Sequence, residues 1–178
     1  DSASKFAKAV DVVTFEFENV PHKSAQILEE EAIVRPNWQS LYMAQNRLRE
    51  KEFINECGLQ TAPYRHVTSL ESLENALKEI GPKGILKTIE MGYDGKGQQH
   101  IDAKSDLAAV WKKFPHKEGI LEGLVDFDKE ISVIIARTND GSAMPFIPVE
   151  NMHKSGILET TRAPANISND TVDLAWNI

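Results

Sequence analysis

Residues 85–98 read ILKTIEMGYDGKGQ, an apolar run carrying Lys87 and then Gly92, Gly95 and Gly97 set around Tyr93, Asp94 and Lys96. A tight hairpin needs only one or two glycines. The surplus specifies a loop whose backbone must come close to something. It is neither standard phosphate loop. No Ser or Thr follows the lysine as in G-x-x-x-x-G-K-[ST], and Gln98–Ile101 reads as a strand, whereas G-x-G-x-x-G opens a helix. A glycine loop between two strands can still converge several backbone N–H groups on one anion. The residues alone leave two readings open, a structural hairpin and a phosphate lid. Lys87 divides the same way, between a lysine on a solvent face and a point charge for a nucleotide phosphate.

The flanking pattern alternates strands and helices. DVVTFEF (11–17) is β-branched and aromatic and predicts a strand, residues 22–31 a helix with Ala25, Ile27 and Leu28 on one face, and AIVR (32–35) a strand closed by Pro36. Strand, helix, strand in so short a span predicts a parallel α/β unit. Residues 38–57 predict a helix in two pieces around Asn46, with Leu41, Ala44, Leu48, Phe53, Ile54 and Cys57 facing inward and Gly58 ending it. Pro63, in GLQTAPY, marks a boundary to a more strand-rich part with helices on one face. Thr68–Glu71 has capping-box spacing, Leu70, Leu73, Leu77 and Ile80 recur at helical intervals, and Gly81-Pro82 stops the run. Strands are then expected at 84–89, 98–101, 119–125, 130–137 and 144–149, with a helix at 104–114 and a turn at NDGS (139–142). The 130–137 strand is expected to be covered on both faces. NDTVDLAWNI starts a helix that stops at the last residue, as in a piece of a longer protein.

Hydrophobic residues at 41% and charged residues at 26% fit a soluble globular chain. No apolar stretch approaches the roughly 18 residues that a membrane span needs. The start has no basic-then-apolar leader, which favours a cytoplasmic protein, although it also lacks an initiator Met. Cys57 is the only cysteine, so no internal disulfide is possible, and it is expected to be packed or half-buried. The formal charge of −7 opposes nucleic-acid binding, while a few placed cations could still hold a small anion.

A third element is GILEGLVDFDKEISV (119–133). Glu122 ends an apolar strand, Gly123, Leu124 and Val125 lead to a polar turn, and Glu130 opens the next strand. Such a linker offers an apolar slot for a purine and backbone groups for its edge, and the later carboxylate could accept ribose hydroxyls. An ordinary strand pair with surface acids is the alternative. The order of helix, lysine strand, glycine loop, strand, helix, apolar strand with Glu, linker and Glu strand resembles the ATP-grasp superfamily. TFEFENVP (14–21), residues 35–64, GYDGKGQ (92–98) and HKSGILETTRAPA (153–165) resemble the 5-(carboxyamino)imidazole ribonucleotide synthetase family of de novo purine biosynthesis. The resemblance implies α/β plus α+β architecture with an ATP-grasp fold. Residues 1–37 would be the remainder of an N-terminal parallel α/β domain, 38–124 a linking helix and lid subdomain, and 125–178 the beginning of a C-terminal catalytic subdomain.

The same resemblance implies residue roles. Arg47 and Lys87 would neutralise ATP phosphates, Tyr93, Asp94, Gly95, Lys96, Gly97 and Gln98 would close over them, Glu122, Gly123, Leu124 and Val125 would hold adenine, and Glu130 would take the ribose. His153 would lie near the reacting end of ATP, and with Tyr93, Asp94 and Lys96 would form the catalytic set. Glu16 and Glu18 either approach the ribonucleotide or are solvated acids. The implied substrates are ATP, bicarbonate and aminoimidazole ribonucleotide, with Mg²⁺ ligands expected beyond Ile178, no metal ligand within the chain, and a homodimer in the full-length protein. Another ATP-grasp carboxylase or ligase, a formate-dependent transformylase and a non-catalytic nucleotide-binding module are the alternatives. On this reading the 178 residues alone should show little or no synthetase turnover. Phosphate release with all three substrates checks this, and full turnover by the isolated chain would overturn it.

Overall fold

A computed structural model describes residues 2–92 and 95–178. The first elements are helix α1 (Ser2–Ala7), strand β1 (Val12–Val13), helix α2 (His22–Glu31) and strand β2 (Ile33–Val34). β1 and β2 pair in parallel, Val12 with Ile33 and Val13 with Val34, so α2 is the crossover of a small α/β unit. Ala7, Val13, Leu28 and Val34 are its buried core. Only two residues of DVVTFEF are strand, because β2 offers just two partners and the chain after Val13 leaves the ladder.

Asn46 divides the next helical stretch for a stated reason. Helix α3 (Trp38–Ala44) begins at Asn37, whose side chain accepts from Ser40 N at 2.9 Å. Helix α4 (Arg47–Glu56) begins at Asn46, whose Oδ1 accepts from the N–H groups of Leu48 and Arg49. The expected inward stripe is largely absent: Leu41 is buried, but Phe53 is 48% exposed and Cys57 is exposed. α4 has no buried residue, since RLREKEFINE is mostly charged and presents its cations, not an apolar stripe, to its neighbours.

Strand β3 (Tyr64–Val67), helix α5 (Leu70–Ile80), strands β4 (Lys83–Thr88) and β5 (Gln98–Asp102), helix α6 (Leu107–Lys113) and strand β6 (Gly119–Gly123) form an antiparallel sheet of order β3-β6-β4-β5 with helices against it. The cap of α5 is Ser69 with Ser72, one residue later than the expected Thr68 and Glu71. Each serine accepts a backbone N–H across the turn, which the Glu71 carboxylate does not do. Leu73, Leu77, Leu86, Ile101, Val110 and Leu121 fill the layer between sheet and helices. Period-two alternation therefore puts Leu86 into the core and Ile85 and Lys87 on the opposite face.

The chain clusters into two compact units, one containing the described residues up to Gly92 with Gly97–Leu124, the other containing Val125–Ile178 with Gly95 and Lys96. In the second, strand β7 (Glu130–Ser132) pairs with β10 (Val149–Lys154), which pairs with β11 (Ile157–Arg162). β8 (Ile135–Arg137) and β9 (Ala143–Pro145) form a separate ribbon, and helix α7 (Asn169–Trp176) follows. The single strand expected over 130–137 is thus two strands in two sheets. Its coverage is also absent, with Ile134 67% exposed. The strand expected over 144–149 is interrupted at Phe146–Pro148, where Pro148 has no N–H to give a ladder. Among the described residues no helix is long and apolar enough to cross a membrane.

Leu121 is fully buried beneath α5. Leu121→Ala should lower the unfolding free energy by about 2–5 kcal/mol, the usual cost of emptying a leucine site in a core. Urea denaturation checks it, with an unchanged midpoint as the contrary result.

Candidate nucleotide site

The register of β4 against β6 sets the central contact. Ile85 lies opposite Glu122 and Lys87 opposite Ile120, so Lys87 and Glu122 are diagonal neighbours on the face away from α5. Lys87 Nζ reaches Glu122 Oε2 at 2.8 Å. The glutamate is buried, so this is a desolvated ion pair that an exposed lysine could not make. A second ammonium shares the same oxygen: Lys51 Nζ of α4 stands 3.7 Å from Glu122 Oε2 and 5.7 Å above the Tyr64 ring. Two ammonium groups thus converge on one carboxylate oxygen. Lys51 and Tyr64 did not emerge from the sequence pattern. The available signal was spacing, since Lys51 follows Arg47 by four residues and shares its helix face.

Arg47 does a different task from Lys87. Its Nη1 donates to the Thr88 carbonyl at 2.8 Å, its Nη2 to the Gly92 carbonyl at 2.9 Å, and its backbone N–H to Ile89 O at 3.0 Å. A planar fork thereby ties the start of α4 to the segment that leaves β4 toward the glycine loop. On the returning side Thr88 N–H donates to Gly97 O at 2.8 Å. Gly97 has φ of 70°, and a Cβ there would stand 2.8 Å from Thr88 Oγ1. Only glycine fits that position. The buried Thr88 hydroxyl itself finds no partner among the described residues.

Beside the Arg47 fork is a recess of about 150 Å³ lined by Glu18, Ala44, Gln45, Arg47, Glu50, Met91 and Gly92. Gln45 Nε2 donates to the carbonyls of Glu18 and Val20, which fixes the loop carrying Glu18. The Glu50 residue is exposed in part, yet loss of hydration around its carboxyl pushes its pKa up, more than nearby Lys51 and Arg47 pull it down.

The other expected site residues are distributed as follows. Gln98 opens β5 and pairs with Lys87 in the ladder. Gly123 ends β6, its N–H donating to Pro63 O at 2.8 Å, and Leu124 and Val125 are exposed. Gly95 has φ of 74° in a turn with the exposed Lys96. Tyr93 and Asp94 lie outside the described residues. In the second unit Glu130 Oε1 and His153 Nδ1 are 3.2 Å apart, brought together because β7 and β10 are neighbouring strands. The first unit thus joins Lys87 and Glu122 on one sheet face, with Gln98 beside Lys87 and Arg47 at the exit of β4, while Gly123 pairs with Gly84 at the other end of the ladder; the second unit brings together Glu130 and His153.

Residues 52–178 match the ATP-grasp domain family, and residues 1–45 match the ribonucleotide synthetase preATP-grasp domain. The chain belongs to the ATP-grasp family. Among curated relatives of this ATP-grasp chain, the N5-carboxyaminoimidazole ribonucleotide synthase of Brucella melitensis biotype 1 is 44% identical over 174 residues, 97% of this chain and 48% of that protein. A solved N5-carboxyaminoimidazole ribonucleotide synthetase in complex with ADP has a TM-score of 0.91 at 38% identity, covering 99% of this chain and 47% of the other. The Aspergillus clavatus carboxyaminoimidazole ribonucleotide synthase complexed with ATP has a TM-score of 0.89 at 26% identity, covering 97% and 46%. The chain spans about half the length of these relatives.

The residues present suit a nucleotide phosphate. Lys87 and Lys51 bring two ammonium groups together at the end of β4, and the Gly97 turn lets backbone pass close to the strand end. For a metal the position differs: among the described residues no group of three or more His, Cys, Asp or Glu could hold an ion.

The raised pKa of Glu50 has a pH consequence. The fold binds that proton more tightly than the unfolded chain does, so stability is lost as pH rises from the ordinary glutamate range through the raised value. Glu50→Gln should therefore raise Tm relative to the parent at pH 7, with the difference shrinking toward pH 4. Paired thermal melts at the two pH values check the sign.

Proposed function

We propose that the full-length protein containing this chain is an ATP-dependent carbon–nitrogen ligase that carboxylates 5-aminoimidazole ribonucleotide with bicarbonate, giving 5-(carboxyamino)imidazole ribonucleotide, ADP and phosphate in purine biosynthesis. The observation that carries the nucleotide half is the Lys87–Glu122 pair on a strand that runs into a glycine loop. The carboxylation half is supported by the names and close likeness of the relatives above.

On this reading a bicarbonate oxygen attacks the γ-phosphorus, the bond to the bridging β,γ-oxygen breaks, and ADP leaves. The resulting carboxyphosphate releases phosphate as its CO₂ unit passes to the exocyclic amine, which loses a proton. Lys87 offsets the phosphate charge, and Arg47 holds the root of the loop, leaving further guanidinium N–H groups for the triphosphate. Glu122 to Val125 take adenine, and Glu130 takes the ribose. His153, beside Glu130, and Tyr93, Asp94 and Lys96 of the loop serve the reacting end. Carboxyphosphate is labile in water, so a closing loop that excludes solvent favours transfer over hydrolysis. Glycine at 95 and 97 gives that loop its freedom, with Gly97 and Gln98 completing the lid.

The proposal includes three parts, at 1–37, 38–124 and 125–178, a cytoplasmic setting and a homodimer of the full-length protein. Mg²⁺ enters as the triphosphate's counter-ion.

Lys87→Ala in the full-length protein should weaken ATP binding at least about tenfold, as expected for loss of a charge-assisted contact. Calorimetric titration checks it, and unchanged affinity would remove the nucleotide reading. Phosphate release with aminoimidazole ribonucleotide and bicarbonate, set against glycinamide ribonucleotide and formate, tests the substrates. Release only with the second pair would replace carboxylation by formyl transfer, and ATP binding without amine-dependent release would leave a binding module.

A further inference from the structure

Lys51 has no part in the reaction just described, yet its side chain is only 14% exposed, less than the 23% of Lys87. A lysine on a mostly charged helix ordinarily extends into water, and withdrawing its ammonium is unfavourable unless it is paired. Its ion-pair partner already holds another cation, and a further negative charge acting with it is its neighbour Glu50. Lys87 holds Glu122 Oε2 at 2.8 Å, and Lys51 waits at 3.7 Å from the same oxygen. Two ammonium groups converging on one oxygen repel each other, so as a static arrangement the second lysine adds little. It gains a purpose if Lys87 leaves.

A nucleotide phosphate would draw the Lys87 ammonium away from Glu122. Glu122 is buried, and a buried carboxylate stripped of its partner is strongly unfavourable. That cost would be charged against nucleotide affinity. Lys51 is close enough to assume the contact by a side-chain rotation, because its ammonium already stands 3.7 Å from Glu122 Oε2 and 5.7 Å over the Tyr64 ring.

We propose that Lys51 is a standby counter-ion for Glu122: it takes over the carboxylate when Lys87 turns to the nucleotide phosphate. It is a positioning residue, acting through Glu122 and Lys87 and touching no reacting atom. The inference rests on the nucleotide reading of Lys87. It also explains why two ammonium groups converge on one oxygen of Glu122.

The test uses ADP titrated into the full-length protein. Lys51→Met keeps the length and apolar stem but removes the charge, so Lys87 stays tied to Glu122 and ADP affinity should fall about tenfold, within the usual coupling of contacting charges. Lys51→Arg should retain most of the affinity. The decisive variant is Lys51→Met combined with Glu122→Gln. With no carboxylate to strand, loss of Lys51 should cost less than about threefold relative to Glu122→Gln alone. A lysine that only packs would give losses that add, and additive losses or unchanged affinity in Lys51→Met would overturn the proposal. Should Lys51→Met not fold, Lys51→Gln enters the same cycle. Lys87→Ala is run alongside: if it leaves ADP affinity intact, the nucleotide reading fails; if it abolishes binding while Lys51→Met does not weaken it, only the standby role fails.

Discussion

A carboxylate buried at the end of a strand dictates much of the first unit. Glu122 cannot lie there without compensation, and Lys87 supplies it across the β4–β6 ladder at 2.8 Å, with Lys51 of α4 standing 3.7 Å from the same oxygen. The diagonal between Lys87 and Glu122 exists only in the observed register. A slip by one residue would turn Lys87 into the leucine core and Leu86 out to water. The charged pair and the apolar layer of Leu86 and Leu121 therefore select the same strand alignment. Helix α4 is drawn in by its cations, which accounts for a helix of that length with no buried residue.

Arg47 extends this frame to the glycine loop. Because its Nη1 and Nη2 each donate to a carbonyl, those of Thr88 and Gly92, the strand exit is held at a fixed place relative to the start of α4. Asn46 caps that helix and, through its Nδ2, also donates to Glu90 at 3.1 Å. The anchored ends and the glycine-rich middle suit different tasks. One side fixes where the loop departs, while Gly95 and Gly97, both at positive φ, set a course that residues with a Cβ would resist.

Much of this was legible in the residues, for reasons that can be named. α2 and α5 follow from apolar spacing, α5 also from a stopping Gly-Pro, and the break at Asn46 follows from the capping preference of asparagine. Lys87 and Glu122 stood out because charge at the end of an apolar strand is unusual. Their contact did not, since it depends on a register that no local window contains. Lys51 was hidden among the charges of RLREKE, where an ordinary solvated face is the simplest reading, and only the fold shows which lysine turns inward. The exposed Cys57 fell outside expectation for the same reason, as α4 offers no apolar face to cover it. The hairpin of β10 and β11 was missed because VENMHK and ILETTR are mixed in polarity and neither alternates between buried and exposed positions, β10 being half-buried over its first three residues and β11 exposed throughout. Their pairing rests on the backbone ladder and on links such as the Thr161 hydroxyl donating to Asn151 Oδ1 at 3.1 Å.

The charge of the whole and the charge of the site run in opposite senses. A chain of net −7 repels a nucleotide at long range, and at physiological salt that repulsion is screened within about 8 Å. What an arriving phosphate meets is then decided by groups closer than this. On the proposed reading these are Lys87 and Lys51, whose side chains are 23% and 14% exposed and therefore less screened than surface charges, with Arg47 bonded to the exit of the same strand. Their effect is short-ranged and strong where the field of the whole chain is long-ranged and weak. An acidic protein can in this way hold an anionic ligand at one place while discouraging polyanions everywhere else, and the burial of Glu122 is what keeps the lysines gathered there when no ligand is bound.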